Sequence, residues 1–136
     1  VLLELGGKNA LIAFPDANPK EVADAVVSGM NFTWCGQSCG STSRAFLHEA
    51  LHDAVLSEVQ ERVRRYRPGL PTDPSTTMGA IVSRVQFERI MSFIDGAKAE
   101  GALLLCGGGR PDDAALANGL FIEPTVFHGV NSAMTI

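Results

Sequence analysis

Asn9-Ala10-Leu11-Ile12-Ala13-Phe14, closed by Pro15-Asp16 and followed by Asn18-Pro19-Lys20-Glu21, is the stretch on which the fold reading turns. The apolar run has the length of a buried strand, and Pro15-Asp16 ends it. Asn18 then has the side chain of a helix N-cap. Pro19 suits the first helical position, where its missing N–H is not needed, and Glu21 stands three residues after the cap, as a capping box requires. Val22, Val26, Gly29, Met30 and Thr33 follow at spacings of three and four, which predicts one face of a helix running to about Trp34. A strand that feeds directly into an amphipathic helix is the opening of an α/β chain.

The rest of the chain extends that pattern. Cys35-Gly36-Gln37-Ser38-Cys39-Gly40 breaks the helical period and reads as a tight turn, and Ala45-Phe46-Leu47 as a short strand. A second helix is predicted over His48–Tyr66, with Leu51, Val55, Leu56, Val59 and Val63 on one face. Arg62, Arg64 and Arg65 fall in its last turn, at the negative end of the helix dipole. Pro68, Pro71 and Pro74 mark an extended connection. Ser83 opens a third helix with Phe87, Ile90, Met91 and Ile94 as its apolar stripe, ending at Gly101. Leu103–Cys106 reads as a buried strand, Gly107–Gly119 as a loop, and Leu120–Phe127 as a last strand interrupted by Pro124. The expected architecture is α/β, a mainly parallel sheet flanked by helices, with residues 1–136 as a single segment that no linker divides.

Length and composition set outer bounds. At 136 residues, 46% hydrophobic and 19% charged, the chain suits about one domain and has enough apolar surface to offset chain entropy, which excludes a disordered protein. A net charge of −4 argues against nucleic acid or an anionic membrane as partner. The uncharged run between Asp24 and Arg44 approaches the ~20 residues of a bilayer span. It contains Asn31, Thr33, Gln37, several serines and three glycines, too many polar groups to bury in lipid. No signal peptide is evident. Three cysteines, an odd number, favour free thiols in a reducing compartment and hence a cytoplasmic location. The chain opens at Val1 without a methionine and stops at Met134-Thr135-Ile136, and both ends read as cuts through a longer protein.

Chemistry concentrates at two places. Cys39 lies among Gly36, Gln37 and Gly40 directly after a helix, where small neighbours admit a substrate to the sulfur and backbone N–H groups are available to an oxyanion. A thiol of ordinary pKa, ~8.5, is only slightly ionised at neutral pH, so a nucleophilic cysteine needs a site that favours its anion. Glu4, just before Gly6-Gly7, is placed to act as a base toward water. Taken alone, a cysteine near a helix end also reads as a small buried hydrophobe, and Glu4 as a surface carboxylate.

Together these residues resemble a known family. Leu3-Glu4-Leu5-Gly6-Gly7-Lys8-Asn9-Ala10 looks like the glutamate signature of the aldehyde dehydrogenase superfamily. Phe32-Thr33-Trp34-Cys35-Gly36-Gln37-Ser38-Cys39-Gly40 looks like its cysteine signature, at about the family's separation. Phe87–Gly109 and Phe121–Phe127 resemble the segments that follow, so the likeness spans the chain as part of the catalytic domain. Two departures stand out: Trp34 where the family commonly has Asn, and Ser41 where Ala or Gly is usual. Both are expected to bear on the substrate mouth.

The resemblance implies NAD- or NADP-dependent oxidation of a small-molecule aldehyde to a carboxylic acid. Cys39 forms a thiohemiacetal and then a thioester, with its own N–H and an upstream side chain on the oxygen. Glu4 activates the hydrolytic water, which separates this branch from acyl transfer to coenzyme A. It further implies cofactor contacts from Leu5 (backbone), Gln86 and Arg89, a homo-oligomeric parent enzyme, and a dinucleotide-binding domain and C-terminal remainder outside these residues. No Gly-x-Gly-x-x-Gly loop occurs here, and Gly107-Gly108-Gly109 reads as a turn because Arg110-Pro111 does not start a helix. Gln86 has a second reading, as partner of Ser83 in a capping box.

Three alternatives compete. Cys35 and Cys39, with His48 and His52, echo a Cys2His2 zinc site, but only eight residues separate Cys39 from His48, against about 12 in such fingers. A cysteine hydrolase would pair Cys39 with His48, His52 or His128. The first two histidines read as solvated helix residues, His128 as a loop residue and Cys106 as core. A non-enzymatic module is the third. No metal site is expected.

Overall fold

The computed structural model describes all residues, Val1–Ile136, and they gather into two compact units, Val1–Arg65 and Tyr66–Ile136. The sequence shows no linker at Arg65-Tyr66; the division appears only in how the residues pack. The first unit runs β1 (Ala10–Ala13), α1 (Pro19–Gly29), a 3-10 turn at Phe32–Trp34, β2 (Arg44–Leu47) and α2 (Glu49–Val63). β1 and β2 pair in parallel, Ala10 opposite Arg44 through Ala13 opposite Leu47. Two further bonds extend the ladder, Arg44 N–H to the Asn9 carbonyl at 3.3 Å and His48 N–H to that of Ala13 at 3.1 Å.

α1 begins at the expected cap but without the capping box: the Asn18 side chain accepts from Lys20 N–H at 2.9 Å rather than from Glu21, with Pro19 inside the first turn. It ends five residues earlier than its periodicity suggests, at Gly29 rather than Trp34. The reason is tertiary. The Gly29 carbonyl accepts from Thr42 N–H at 2.9 Å, and Asn31 enters the left-handed region at φ +55°. Gly29 is needed there, since a Cβ on it would overlap the Thr42 hydroxyl. The buried face of α1 is accordingly Val22, Ala23 and Val27, while Val26, Gly29 and Met30 are half-buried and Thr33 exposed.

α2 presents Leu51, Val55, Val59 and Val63 to α1, a stripe at spacing four. Val55 is fully buried, a contribution of about 1.5–3 kcal/mol for a side chain of this kind. His48 is its N-cap, the imidazole Nδ1 accepting from Ala50 N–H at 3.2 Å. Arg62, with 12% of its side chain exposed, bridges the two helices: its Nε donates to Asp24 at 2.5 Å and its Nη1 to Glu58 on its own helix.

The second unit comprises α3 (Arg84–Ala99), β3 (Leu103–Cys106), a 3-10 turn at Ala114–Leu116 and β4 (Val126–His128). The proline-marked stretch before α3 is not extended throughout. It closes on itself through Gly69 N–H to the Met78 carbonyl, and through Asp73, whose carboxylate takes both Ser75 N–H and Ser75 Oγ. Ser83 caps α3 as expected, accepting from Gln86 N–H at 3.2 Å, and Gly101 ends it at φ +93°. Phe87, Ile94 and Ala97 are buried and Ile90 and Met91 half-buried.

The α/β class therefore holds, with β1 and β2 as the parallel strand pair and one isolated parallel bridge between Pro68 and Met78. β3 and β4 pair antiparallel, with a register break between Leu104 and Cys106. Of the expected last strand, Leu120–Phe127, only Val126 and Phe127 are strand, and β4 continues to His128, a residue expected in a loop; Pro124 has no N–H to offer a ladder. β3 is not buried: Leu103 and Leu104 are 56% and 41% exposed, and Cys106 is half-buried. Gly107 and Gly108 form the turn expected of them, both at positive φ, with Gly108 N–H on Thr125 Oγ1 at 2.9 Å. No helix is long and apolar enough to cross a membrane.

The Arg62 guanidinium, by hydrogen bonding, holds the Asp24 carboxyl below its ordinary value of 3.8. A carboxyl depressed in the folded state adds stability above its unfolded pKa and loses it as pH falls through the folded value. Asp24→Asn is expected to lower the melting temperature near neutral pH, and the deficit should shrink in acid. Thermal melts of both proteins from about pH 7 to about pH 2 check this.

Candidate active site

Cys39 belongs to the loop between the 3-10 turn and β2. Cys35 at φ +57° and Gly36 at φ +67° reverse the chain, and two bonds, Gly36 N–H to the Asn31 carbonyl and Gln37 N–H to that of Trp34, fasten the turn. Further on, Gly40 N–H bonds Ser38 Oγ, Ser41 N–H the Ser38 carbonyl, and Thr42 N–H the Gly29 carbonyl. Most loop N–H groups are thus engaged by the loop itself. The Cys39 N–H makes no backbone hydrogen bond. The Cys39 side chain is exposed, whereas Cys35 and Cys106 are half-buried; all three are free thiols.

The segment carrying Glu4 comes up against this loop. A Cβ on Gly7 would overlap the Cys39 carbonyl oxygen and lie 3.0 Å from the carbonyl carbon, so only glycine allows the two backbones this approach. Asn9 Nδ2 donates to the Cys39 carbonyl at 2.6 Å and to the Ser41 carbonyl at 3.2 Å. Arg44 Nε and Nη2 donate to the Lys8 carbonyl at 3.1 and 2.7 Å. Glu4 and Leu5 lie just upstream, on the exposed stretch Val1–Lys8 that has no regular secondary structure. The structure therefore joins the two motifs through Gly7 and Asn9.

Ser41 departs from its expected place at the substrate mouth. It is 4% exposed, and its hydroxyl donates to the Met30 carbonyl at 3.1 Å and accepts from Asn31 Nδ2 at 3.5 Å. It fastens the underside of the loop to the end of α1. Trp34, in contrast, is 67% exposed beside the turn. Asn9, Asn31 and Arg44 shape the loop, and sequence reading assigned them no role. The available signal was polarity: Asn9 is an amide at the very start of an apolar strand.

Gln86 and Arg89 lie in the second unit, one turn apart on α3. Gln86 is half-buried, its N–H spent on the Ser83 cap. Arg89 is exposed, its guanidinium 5.9 Å from the Phe93 ring. A carboxamide and a guanidinium are suitable donors for the hydroxyls of a ribose. Nowhere do three His, Cys, Asp or Glu side chains come together in a group that could hold a metal ion. His48 is committed as a helix cap, and His52 Nδ1 lies 2.8 Å from the Asp53 carboxylate.

An exposed thiol beside an N–H that makes no backbone hydrogen bond, on a loop fastened at both ends, has the chemistry of covalent catalysis by cysteine. The sequence profile of the aldehyde dehydrogenase family matches residues 1–136, and the chain belongs to that family. It is 54% identical to aldehyde dehydrogenase tropH of Talaromyces stipitatus, a match over 98% of this chain and 27% of that protein. It is 42% identical to the betaine aldehyde dehydrogenase of Brucella anthropi, over 100% of this chain and 28% of that protein. Among solved structures it resembles the betaine aldehyde dehydrogenase of Staphylococcus aureus in complex with NAD+. There the TM-score is 0.88 at 38% identity, covering 97% of this chain and 26% of that one. The chain thus spans about a quarter of the length of these relatives.

Exposure orders the thiols. Limiting iodoacetamide is expected to label Cys39 before Cys35 or Cys106, read by peptide mass spectrometry. Preferential labelling of either of the others would contradict the site.

Proposed function

We propose that the full-length protein oxidises an aldehyde to a carboxylic acid with NAD or NADP, through a covalent adduct on Cys39. The observation that carries this reading is the exposed Cys39, its N–H in no backbone hydrogen bond, on a loop held by the Gly7–Asn9 segment next to Glu4. Family membership and the NAD+ bound to the Staphylococcus aureus relative support it.

The Cys39 thiolate adds to the aldehyde carbon, and the oxygen of the resulting thiohemiacetal turns toward the Cys39 N–H and an upstream side chain. When bound, the nicotinamide cofactor supplies a two-electron acceptor; Gln86 and Arg89 would hold its ribose, and the Leu5 backbone its carboxamide. Oxidation leaves a thioester on Cys39. Glu4, exposed, takes a proton from the water that attacks the thioester, releasing the acid and restoring the thiol. With three free cysteines, we place the enzyme in the reducing cytoplasm, as a homo-oligomer, with a small-molecule aldehyde and neither nucleic acid nor membrane as its partner.

Glu4→Gln in the full-length enzyme is expected to preserve acylation and slow hydrolysis. Stopped-flow absorbance, with several aldehydes including betaine aldehyde, should then record a burst of about one reduced cofactor per site before slow turnover. Loss of the burst along with turnover would place Glu4 before the oxidation step.

We also propose that these 136 residues are one part of the catalytic domain, with the dinucleotide-binding domain and a C-terminal remainder outside them. Isothermal titration of the isolated chain with NAD and with NADP should show no measurable binding. Micromolar binding would count against that division.

A further inference from the structure

Three consecutive residues, Gly7, Lys8 and Asn9, are each held against the loop that carries Cys39 or the strand that follows it. Gly7 abuts the Cys39 backbone. Lys8 adopts φ +147°, a conformation side-chain-bearing residues avoid, with its carbonyl gripped twice by Arg44. Such a conformation persists only where the surroundings over-determine it. Asn9 is the junction. Its backbone carbonyl takes the Arg44 N–H in the β1–β2 ladder, while its side-chain amide reaches back to two loop carbonyls, those of Cys39 and Ser41.

Between those two carbonyls lies Gly40, the most pliable link of the loop. An amide nitrogen has two hydrogens, enough for one bond to each carbonyl. Bound together, the carbonyls on either side of Gly40 cannot swing independently, so the backbone at Cys39 loses its rotational freedom. The peptide plane that follows Cys39 is held with it, and so is the Cα from which the thiol projects.

We propose that Asn9 is a positioning residue for the nucleophile: its amide, rooted in the parallel sheet, aims Cys39 by holding the Cys39 and Ser41 carbonyls together. This rests on the reading of Cys39 as the nucleophile. Asn9 bonds the backbone of the loop, and it is through that backbone that it acts. A misplacement of about 1 Å in a reacting group costs on the order of 10²-fold in rate. Asn9→Asp keeps the shape of the side chain but exchanges its donors for a carboxylate under the loop, which also disfavours a nearby thiolate. Asn9→Ala removes the donors without adding charge.

Both variants should be made in the full-length enzyme, with kcat, KM and the pH dependence of Cys39 alkylation by iodoacetamide as readouts. The expected result is a kcat lower by about 10²-fold in both, with KM moved far less. The alkylation midpoint is expected to rise in Asn9→Asp. A folded variant with kcat within about twofold of the parent overturns the proposal, as does an unmoved alkylation midpoint in folded Asn9→Asp, whatever happens to melting temperature. If Asn9→Asp does not fold, the kcat and KM of Asn9→Ala decide. Cys39→Ala in the same background tests the underlying reading separately: turnover that survives it removes Cys39 as nucleophile, irrespective of Asn9.

Discussion

The parallel pairing of Ala10–Ala13 with Arg44–Leu47 is the constraint on which the first unit depends. In a parallel pair both strands start at the same edge. The residues leading into β1, Gly7 to Asn9, and those leading into β2, Cys39 to Ser43, must therefore emerge side by side although some thirty positions separate them. An antiparallel pair would have sent them to opposite ends. Once they are neighbours, short-range contacts fasten the Cys39 loop: a glycine that admits the Cys39 backbone, an amide on two loop carbonyls, and a guanidinium on the Lys8 carbonyl.

The crossover between the strands is shaped by the same demand. α1 gives up its last carbonyls to the loop, Gly29 to Thr42 N–H and Met30 to the Ser41 hydroxyl, and so stops where the loop needs those groups. Hydrogen bonds drawn from a helix end are a natural anchor because the last turn has unpaired carbonyls in any case. On the opposite side, α1 is fixed to α2 by the Val55–Val59 stripe and by Arg62, which joins Asp24 and Glu58. The loop with Cys39 is thus held from the sheet and from the helix, while Cys39 itself stays exposed.

The second unit is organised around α3 and a different kind of closure. Arg110 lies 4.9 Å from the Phe87 ring and donates to the carbonyls of Ala117 and Gly119, gathering the long loop before β4. Lys98 reaches the Gly108 carbonyl, and Glu100 takes the N–H and hydroxyl of Thr135. Cations here pair with the loop carbonyls of Gly108, Ala117 and Gly119, near the buried Leu116, Phe121 and Ile122 of the same unit.

Features whose physics is local could be read from the sequence. Asn18 and Ser83 cap the helices they were expected to cap, because an N-cap needs only a short polar side chain and the next few N–H groups. The turn at Gly107-Gly108 and the strand–helix alternation belong to the same class, and the paired Glu4 and Cys39 motifs were sufficient to indicate the family. Tertiary structure decided the remainder: the early end of α1, the burial of Ser41, the antiparallel β3–β4 pair and the grip of Asn9 on the Cys39 loop. Each depends on partners ten to thirty or more residues away. Such partners exist only once the chain has paired β1 with β2 and folded β4 back on β3, and no local window of sequence contains them.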